Sequence, residues 1–341
     1  MQRFGIISGG NWIVDRVKMI DTYPREGLLV TIKDEFKSVG GGPGNVLVDL
    51  AKMQTGIPLS AAGLVGSDEE GDYIIDVLKK YKIDLSNMFR SDQKNTSRTD
   101  VMSVIPTGNR TFFHFRGTNA TFGSDHCEKV ISNARIFHLA YLLLLDQFDA
   151  ADPSEYKVVA ARILDNLQKR GFETSVDVVS EEGERFQKII IPCLKYINYL
   201  IINEIEAEGV TGIAIRNPDK TVNIQELKKA GEFLIDHGVN TMVIIHSPEM
   251  AILVNKQKEI ITEPSFYIDP ATIKGATGAG DAFCAGCLYA IHENFDYSRI
   301  LKTGHASAGF NLKDPTSVGG AVSIDLIEKF LNSPDTKQNS L

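Results

Sequence analysis

Cysteine and tryptophan are scarce in this chain, basic residues are outnumbered by acidic ones, and no apolar run is long; each shortage closes off a class of protein. Four cysteines in 341 residues make a poor disulfide framework, and Cys127 and Cys193 stand alone. Cys284-Ala285-Gly286-Cys287 has the spacing of a redox or zinc pair, but no second ligand pair follows at suitable spacing, so buried thiols on a helix face are the simpler reading. With 36 Lys and Arg against 44 Asp and Glu the net charge is -8, which argues against nucleic acid or an anionic membrane as the main partner. No segment approaches membrane-spanning length, and Met1 to Ser8 lacks the apolar core and cleavage site of a secretory signal. The expectation is a cytoplasmic protein that works on small molecules.

What is present is a sizeable core, 43% hydrophobic against 23% charged. Short apolar runs at 4–8, 59–64, 136–140, 174–178, 199–202 and 241–245 read as strands, and helical patterns lie between them, for example 71–81, 156–170 and 224–237. This alternation predicts an α/β fold with a mostly parallel central sheet covered by helices. Two stretches, 28–34 and 99–115, read as extended with no helix between strand and return. Within the second, Thr107-Gly108-Asn109 has hairpin turn chemistry. Together they predict a small β lid, from about 12–37 and 97–117, on a single domain spanning 1–332. The polar tail 333–341 is expected to fray.

Gly275-Ala276-Thr277-Gly278-Ala279-Gly280 runs into Asp281 and an apolar helical run. A helix beginning near Ala279 points its unpartnered first amides outwards, and with its dipole forms an anion site. Glycines at 278 and 280 let phosphate oxygens approach the backbone. No Gly-Lys-Ser or Gly-Lys-Thr follows, and the glycine order is not the dinucleotide fingerprint, so a dinucleotide-dependent oxidoreductase is set aside. Asp281 is either a helix cap or a general base for a hydroxyl attacking a phosphoryl group. A second cluster, Gly40-Gly41-Gly42-Pro43-Gly44-Asn45, opens another apolar helix, with Pro43 in its first turn. There Asn45 either caps the helix or offers a donor and an acceptor to a polyol.

The chain resembles the ribokinase-like, or PfkB, carbohydrate kinases from Phe4 to about Ile327. Gly275 to Phe283 matches the second half of the family's closing signature, Asp-Thr-x-Gly-Ala-Gly-Asp, and Gly40 to Asn45 its opening Gly-Gly-x-x-x-Asn. Gly10 to Asp15, Gly63 to Gly71, Gly108 to Phe112 and Asn203 to Glu206 follow further family blocks in order. The resemblance implies a ribokinase-like three-layer α/β/α fold with a small β lid. It also implies an ATP- and Mg²⁺-dependent kinase acting on a sugar or sugar acid, probed against a nucleoside kinase or a catalytically weak sugar- or nucleotide-binding regulator.

Carried over by position, the resemblance makes Asp281 the base and the amides of Gly278, Ala279 and Gly280 the anion hole. Asn11, Asp15, Gly41 and Asn45 bind substrate. Read from the residues, Arg110 and Arg116 alternate with Phe113 and Phe115 and either face a phosphate or sugar acid from above or belong to a solvated strand face, Arg116 being the weaker candidate. Thr277, Gly278, Gly280, Asn203 and Glu206 face the nucleotide, and Glu206 organises Mg²⁺ through water; read from residues alone, Asn203 and Glu206 are equally a helix cap with its acidic first turn. A homodimer through the lid strands is implied as well. Gly275-Ala276 departs from the family's Asp-Thr, so a potassium site is not carried over, and His246-Ser247-Pro248 departs from its Thr-x-Gly on the nucleotide side.

Overall fold

The structure is a computed structural model that describes residues 3–181 and 183–339; Met1, Gln2 and the last two residues of the expected tail lie outside them. Among the described residues thirteen strands form two sheets. In chain order they are β1 (Ile6–Gly10), β2 (Ile13–Ile20), β3 (Ile32–Gly40), β4 (Leu59–Gly66), β5 (Asp84–Ser91), β6 (Arg98–Val104), β7 (Arg110–Phe115), β8 (Ile136–Leu142), β9 (Glu173–Val178), β10 (Tyr199–Asn203), β11 (Met242–His246), β12 (Met250–Asn255) and β13 (Ile260–Pro264). The larger sheet has the order β13-β12-β11-β10-β9-β8-β1-β4-β5 and is parallel except for β12 and β13.

The six central strands are buried along nearly their whole length and mostly apolar, because helices cover both faces of a parallel sheet. Alternate residues serve the two sides. Ile6, Ile201 and Ile244 pack with Phe283 and Leu288 of the helix Ala279–His292. Ile7, Leu200 and Val243 pack with Leu164 and Leu234 of the helices Val159–Lys169 and Ile224–Asp236. No described helix is long and apolar enough to cross a membrane.

The smaller sheet, β3-β2-β6-β7, sits on this body through Trp12, whose indole N–H donates to Ala62 O at 2.9 Å, and through Val14 and Val39. β2 runs parallel to β6, and β3 and β7 flank them antiparallel. The expected extended segment 28–34 is displaced. Residues 28–31 follow a turn at Gly27, and the strand begins at Ile32 and runs to Gly40, because β3 pairs along the whole of β2. β5, β12 and β13 are not among the expected strands; β5 is an edge strand carrying Asp84 and Arg90, β12 is a buried apolar run, and β12 and β13 form an antiparallel edge.

The helix expected from Gly71 starts at Glu69, because Asp68 caps it by accepting from Gly71 N at 2.9 Å. The same carboxylate accepts from Thr96 N at 2.7 Å, so this block ties the approach to β6 to the body. The polar tail does not fray over 333–339. Tyr267 N donates to Lys337 O and Asn339 N to Ser265 O, both at 2.8 Å.

Candidate active site

Asn11, Tyr141, Asp177, Asn203 and His246 stand at or just past the carboxyl ends of β1, β8, β9, β10 and β11, side by side in the larger sheet. That edge is where open α/β sheets leave a crevice for ligands. The smaller sheet overhangs it, and Phe112 of β7 lines a cavity of about 400 Å³ with Tyr141, Asp177, Glu206, Gly278 and Asp281.

The turn 40–42 packs against the Tyr141 ring that lines this cavity: a Cβ on Gly42 would lie 2.7 Å from Tyr141 Cε1. Gly41 has φ 79°, and a Cβ there would lie 1.9 Å from Asn11 O; a Cβ on Gly40 would lie 2.2 Å from Asp15 Oδ2. Both glycines are therefore demanded by close approach, and the turn wraps around Asp15. Burial and the Asp281 carboxylate push Asp15 up to about 7, against the Arg110 guanidinium and the Thr99 hydroxyl. Arg110 also donates to Pro315 O at 3.1 Å, linking the smaller sheet to the segment after the helix Tyr297–Asn311. Asn11 Oδ1 accepts from Tyr141 N at 2.8 Å, which leaves Asn11 Nδ2 buried without a partner. Asn45 Oδ1 is equally unpartnered. A free donor and a free acceptor, each costly to leave buried, suit the hydroxyls of a polyol.

Asp281 lies in the first turn of the helix Ala279–His292 and is 7% exposed. It caps nothing: Gly278 is the N-cap. Asp281 Oδ2 accepts from Asn45 Nδ2 at 2.8 Å, and Oδ1 accepts from the Tyr141 hydroxyl. Asn45 is likewise no cap, since Gly41 holds that position in the helix Gly42–Lys52. Burial raises the Asp281 carboxyl to about 6, and the bonds from Tyr141 and Asn45 hold it from rising further. A carboxyl with that value can take a proton near neutral pH.

The turn before Asp281 is held by Gly278 at φ 76°, with Ser317 O in the space a Cβ would need. Ala279 N–H turns back onto Ala276 O at 3.3 Å, and the first helical bond is Ala282 N to Gly278 O at 2.8 Å. Among the described residues the amides of Gly278, Gly280 and Asp281 find no acceptor, so of the three expected donors Ala279 drops out and Asp281 takes its place. Thr277 contributes its carbonyl inwards, to Asn311 Nδ2 at 3.0 Å.

Opposite, Asn203 and Glu206 form the capping box of the helix Glu204–Thr211: Asn203 Oδ1 accepts from Glu206 N and Glu206 Oε2 from Asn203 N, both at 2.9 Å. Both also line the cavity, and Glu206 Oε1 accepts from Ser180 Oγ at 2.8 Å. Capping and cleft-lining are thus one arrangement. Burial pushes Glu206 up to about 7, and burial with Glu206 and Asp281 pushes Asp177 well above the carboxylate range. The residues lining the cavity include no Lys or Arg, so three carboxyls face it uncompensated.

His246, where the chain departs from the family's Thr-x-Gly, lines the cavity beside Gly280 and packs on Phe283 with ring centroids 4.6 Å apart; burial drives it down to about 3, so its ring is neutral. Arg116 is turned away to Asp146 at 3.0 Å. Cys284 and Cys287 are buried thiols pushed up by burial. Tyr141 and Asp177 went unread in the sequence. The only hint of either was an acid ending the apolar run 174–178 and a tyrosine after the run 136–140.

The sequence pattern of pfkB family carbohydrate kinases matches residues 12–320. The chain belongs to that family. Its fold is ribokinase-like: the Arabidopsis thaliana ribokinase complexed with ribose and ATP superposes with a TM-score of 0.79 at 20% identity, covering 98% of this chain and all of that one. A 5-dehydro-2-deoxygluconokinase of Lacticaseibacillus casei is 22% identical over 99% of this chain and 98% of its own. A fructokinase of Salmonella typhimurium is 24% identical over 75% of this chain and 77% of its own, and a nucleoside kinase of Methanocaldococcus jannaschii 22% over 88% of each. In this pfkB kinase the buried Asp281 carboxylate is bonded to Asn45 and follows the turn at Gly278 by three residues.

Asp15 offers a direct check on how deeply that pocket is desolvated. Unfolded, its carboxyl ionises near 4; folded, it keeps its proton to about 7, so the native state binds more protons between those values and loses stability as pH rises. Asp15→Asn removes this loss. The difference in Tm between variant and wild type should move in the variant's favour by on the order of a few degrees from pH 5 to 8. A pH-independent difference in calorimetry contradicts the desolvation.

Proposed function

We propose that this kinase transfers the γ-phosphoryl group of ATP to a hydroxyl, most simply a primary one, of a sugar or sugar acid, with Asp281 as general base. The observation that carries the reading is Asp281 itself: a buried carboxylate between free helix-terminal amides and a pocket bearing unpartnered Asn11 Nδ2 and Asn45 Oδ1. As the hydroxyl oxygen bonds to Pγ, its proton passes to Asp281, the bond from Pγ to the bridging oxygen breaks, and ADP leaves. The amides of Gly278 and Gly280 receive the charge on the transferring oxygens. Asp15, Asn11 and Asn45 orient the acceptor, and Arg110 closes over it from the smaller sheet.

The donor set fits a hard divalent cation, since Glu206, Asp177 and Asn203 present oxygen ligands to a cavity without basic residues. Among the described residues no three His, Cys, Asp or Glu side chains converge into a metal cage, which suits an ion carried mainly by nucleotide oxygens and water. Mg²⁺ bound with ATP would supply charge neutralisation there, and Glu206 with Asp177 would hold it through water.

A phosphorylation screen with ATP and Mg²⁺ over sugars, ketoses, sugar acids and nucleosides, with and without K⁺, tests the reading by ADP release. Transfer to a sugar or sugar acid supports it. Transfer to nucleosides alone replaces the acceptor class, and ligand-induced thermal stabilisation without transfer to any acceptor replaces the enzyme by a regulator. Rate should fall as pH drops through about 6, where Asp281 gains a proton. Removing one bond that favours the carboxylate, in Tyr141→Phe, should move that acid limb to higher pH; an unmoved limb in the kcat profile contradicts the role of Asp281. Exposed Phe113 and Phe115 on the smaller sheet, with Ile105 in the turn that follows β6, support a homodimer, which light scattering in solution tests.

A further inference from the structure

Lys52 closes the helix Gly42–Lys52, where a lysine ordinarily serves the helix dipole. Its ammonium goes elsewhere. Nζ donates to Val318 O at 2.5 Å and to Gly319 O at 3.2 Å, gathering two successive carbonyls of a segment 266 residues away.

That segment, 314–319, is the floor of the phosphate-side turn. Ser317 O occupies the space beside Gly278 that would otherwise admit a Cβ, and Ser317 Oγ donates to Val39 O at 3.2 Å. Just upstream, Leu312 O accepts from Lys274 N at 2.8 Å, and Asn311 Nδ2 donates to Thr277 O at 3.0 Å. Within the segment, Asp314 Oδ1 accepts from Thr316 N and Thr316 Oγ1, and Gly319 N donates to Thr316 Oγ1. Two of the protein's cations pin its carbonyls: Arg110 at Pro315 O and Lys52 at Val318 O and Gly319 O. Arg110 is assigned to the acceptor side; Lys52 touches neither ligand pocket.

We propose that Lys52 is a positioning residue for phosphoryl transfer, a tethered ammonium that holds the carbonyls of 318–319 and through Ser317 keeps Gly278 and the amides behind it aimed at the phosphate. Convergent carbonyls without a cation repel one another, and the segment relaxes away from the turn when the charge is lost. Asp49, one turn earlier, is buried with both oxygens unpartnered, and it and Asp314 favour the charged form of Lys52 against the burial that opposes it. The arrangement rests on the phosphoryl-transfer reading for its meaning, while its geometry is independent of which acceptor is used.

The test uses Lys52→Met, Lys52→Arg and Lys52→Ala in the full chain. Expected is a 10- to 100-fold fall in kcat for Lys52→Met with acceptor KM changed less than threefold, because Asp15, Asn11 and Asn45 lie beyond Asp281. Lys52→Arg should keep activity within tenfold of wild type. Ammonium or methylammonium added to Lys52→Ala should restore activity saturably and leave wild type unstimulated, a response that lost packing alone does not produce. A Lys52→Met kcat within threefold of wild type overturns the proposal, as does a Lys52→Ala defect that no amine restores. Should Lys52→Met fail to fold, Lys52→Arg and amine rescue decide. Should wild type transfer phosphoryl to no acceptor, the functional reading fails by itself; ADP affinity then serves as readout, with at least tenfold weakening in Lys52→Ala and its recovery by amine supporting the clamp, and unchanged affinity overturning it.

Discussion

Asp281→Asn should lower kcat by roughly 10²–10⁴-fold, the usual worth of a positioned general base. The amide keeps the shape and still accepts from Tyr141 or Asn45, but it cannot take the hydroxyl proton. Acceptor affinity should stay within a few-fold, since Asn11, Asp15 and Asn45 keep their places. Nor should the variant be less stable at pH 7.5. Wild type holds an ionised buried carboxylate there, above its folded value of about 6, and the neutral amide relieves that cost. Coupled ADP release, acceptor titration by calorimetry and a thermal melt read the three quantities separately. A variant that turns over within tenfold of wild type ends the assignment of Asp281 as base.

Gly278→Ala should be nearly as damaging, by a different route. At φ 76° a non-glycine residue carries strain of about 1–3 kcal/mol, and its Cβ would lie 2.1 Å from Ser317 O. Backbone must move on one side or the other. Either movement takes the amides of Gly278 and Gly280 off the developing charge, for which a loss of about 10²–10³ in kcat is expected. Gly56→Ala is the control: Gly56 has φ 79° with nothing within 4 Å of its Cβ, so it shares the strain without the collision. It should lose stability and keep kcat. Equal kcat for Gly278→Ala and wild type in steady-state assays would mean that the turn does not handle the phosphate.

Much of the fold is legible in the residues because its cause is local. Strands covered on both faces must be largely apolar; the runs at 136–140 and 199–202 lie within β8 and β10, and all but the first residue of 241–245 lies within β11. A helix must begin where glycine at φ > 0 precedes an apolar run, and the helix starts at Ala279. β3 was displaced by a few residues because its register follows its partner β2 and not its own composition. β5 was missed because an edge strand need not be apolar.

The site divides along the same line. The sequence by itself determined the two glycine turns, the carboxylate after one of them and the Asn–Glu box at 203–206, since each follows from conformations that only those residues allow within a few positions. Tertiary structure alone decided what those groups do. It set Asn45 on Asp281 across 236 residues, Tyr141 on Asp281 across 140, and Asp177, near the end of β9, beside Glu206 in the helix that follows the adjacent β10. It also drew Arg116 off to Asp146, packed a neutral His246 ring on Phe283 beside Gly280, and brought Lys52 to the segment beneath Gly278. A carboxylate becomes a base through its desolvation and its donors, and those come from side chains whose separation along the chain leaves no local pattern to read.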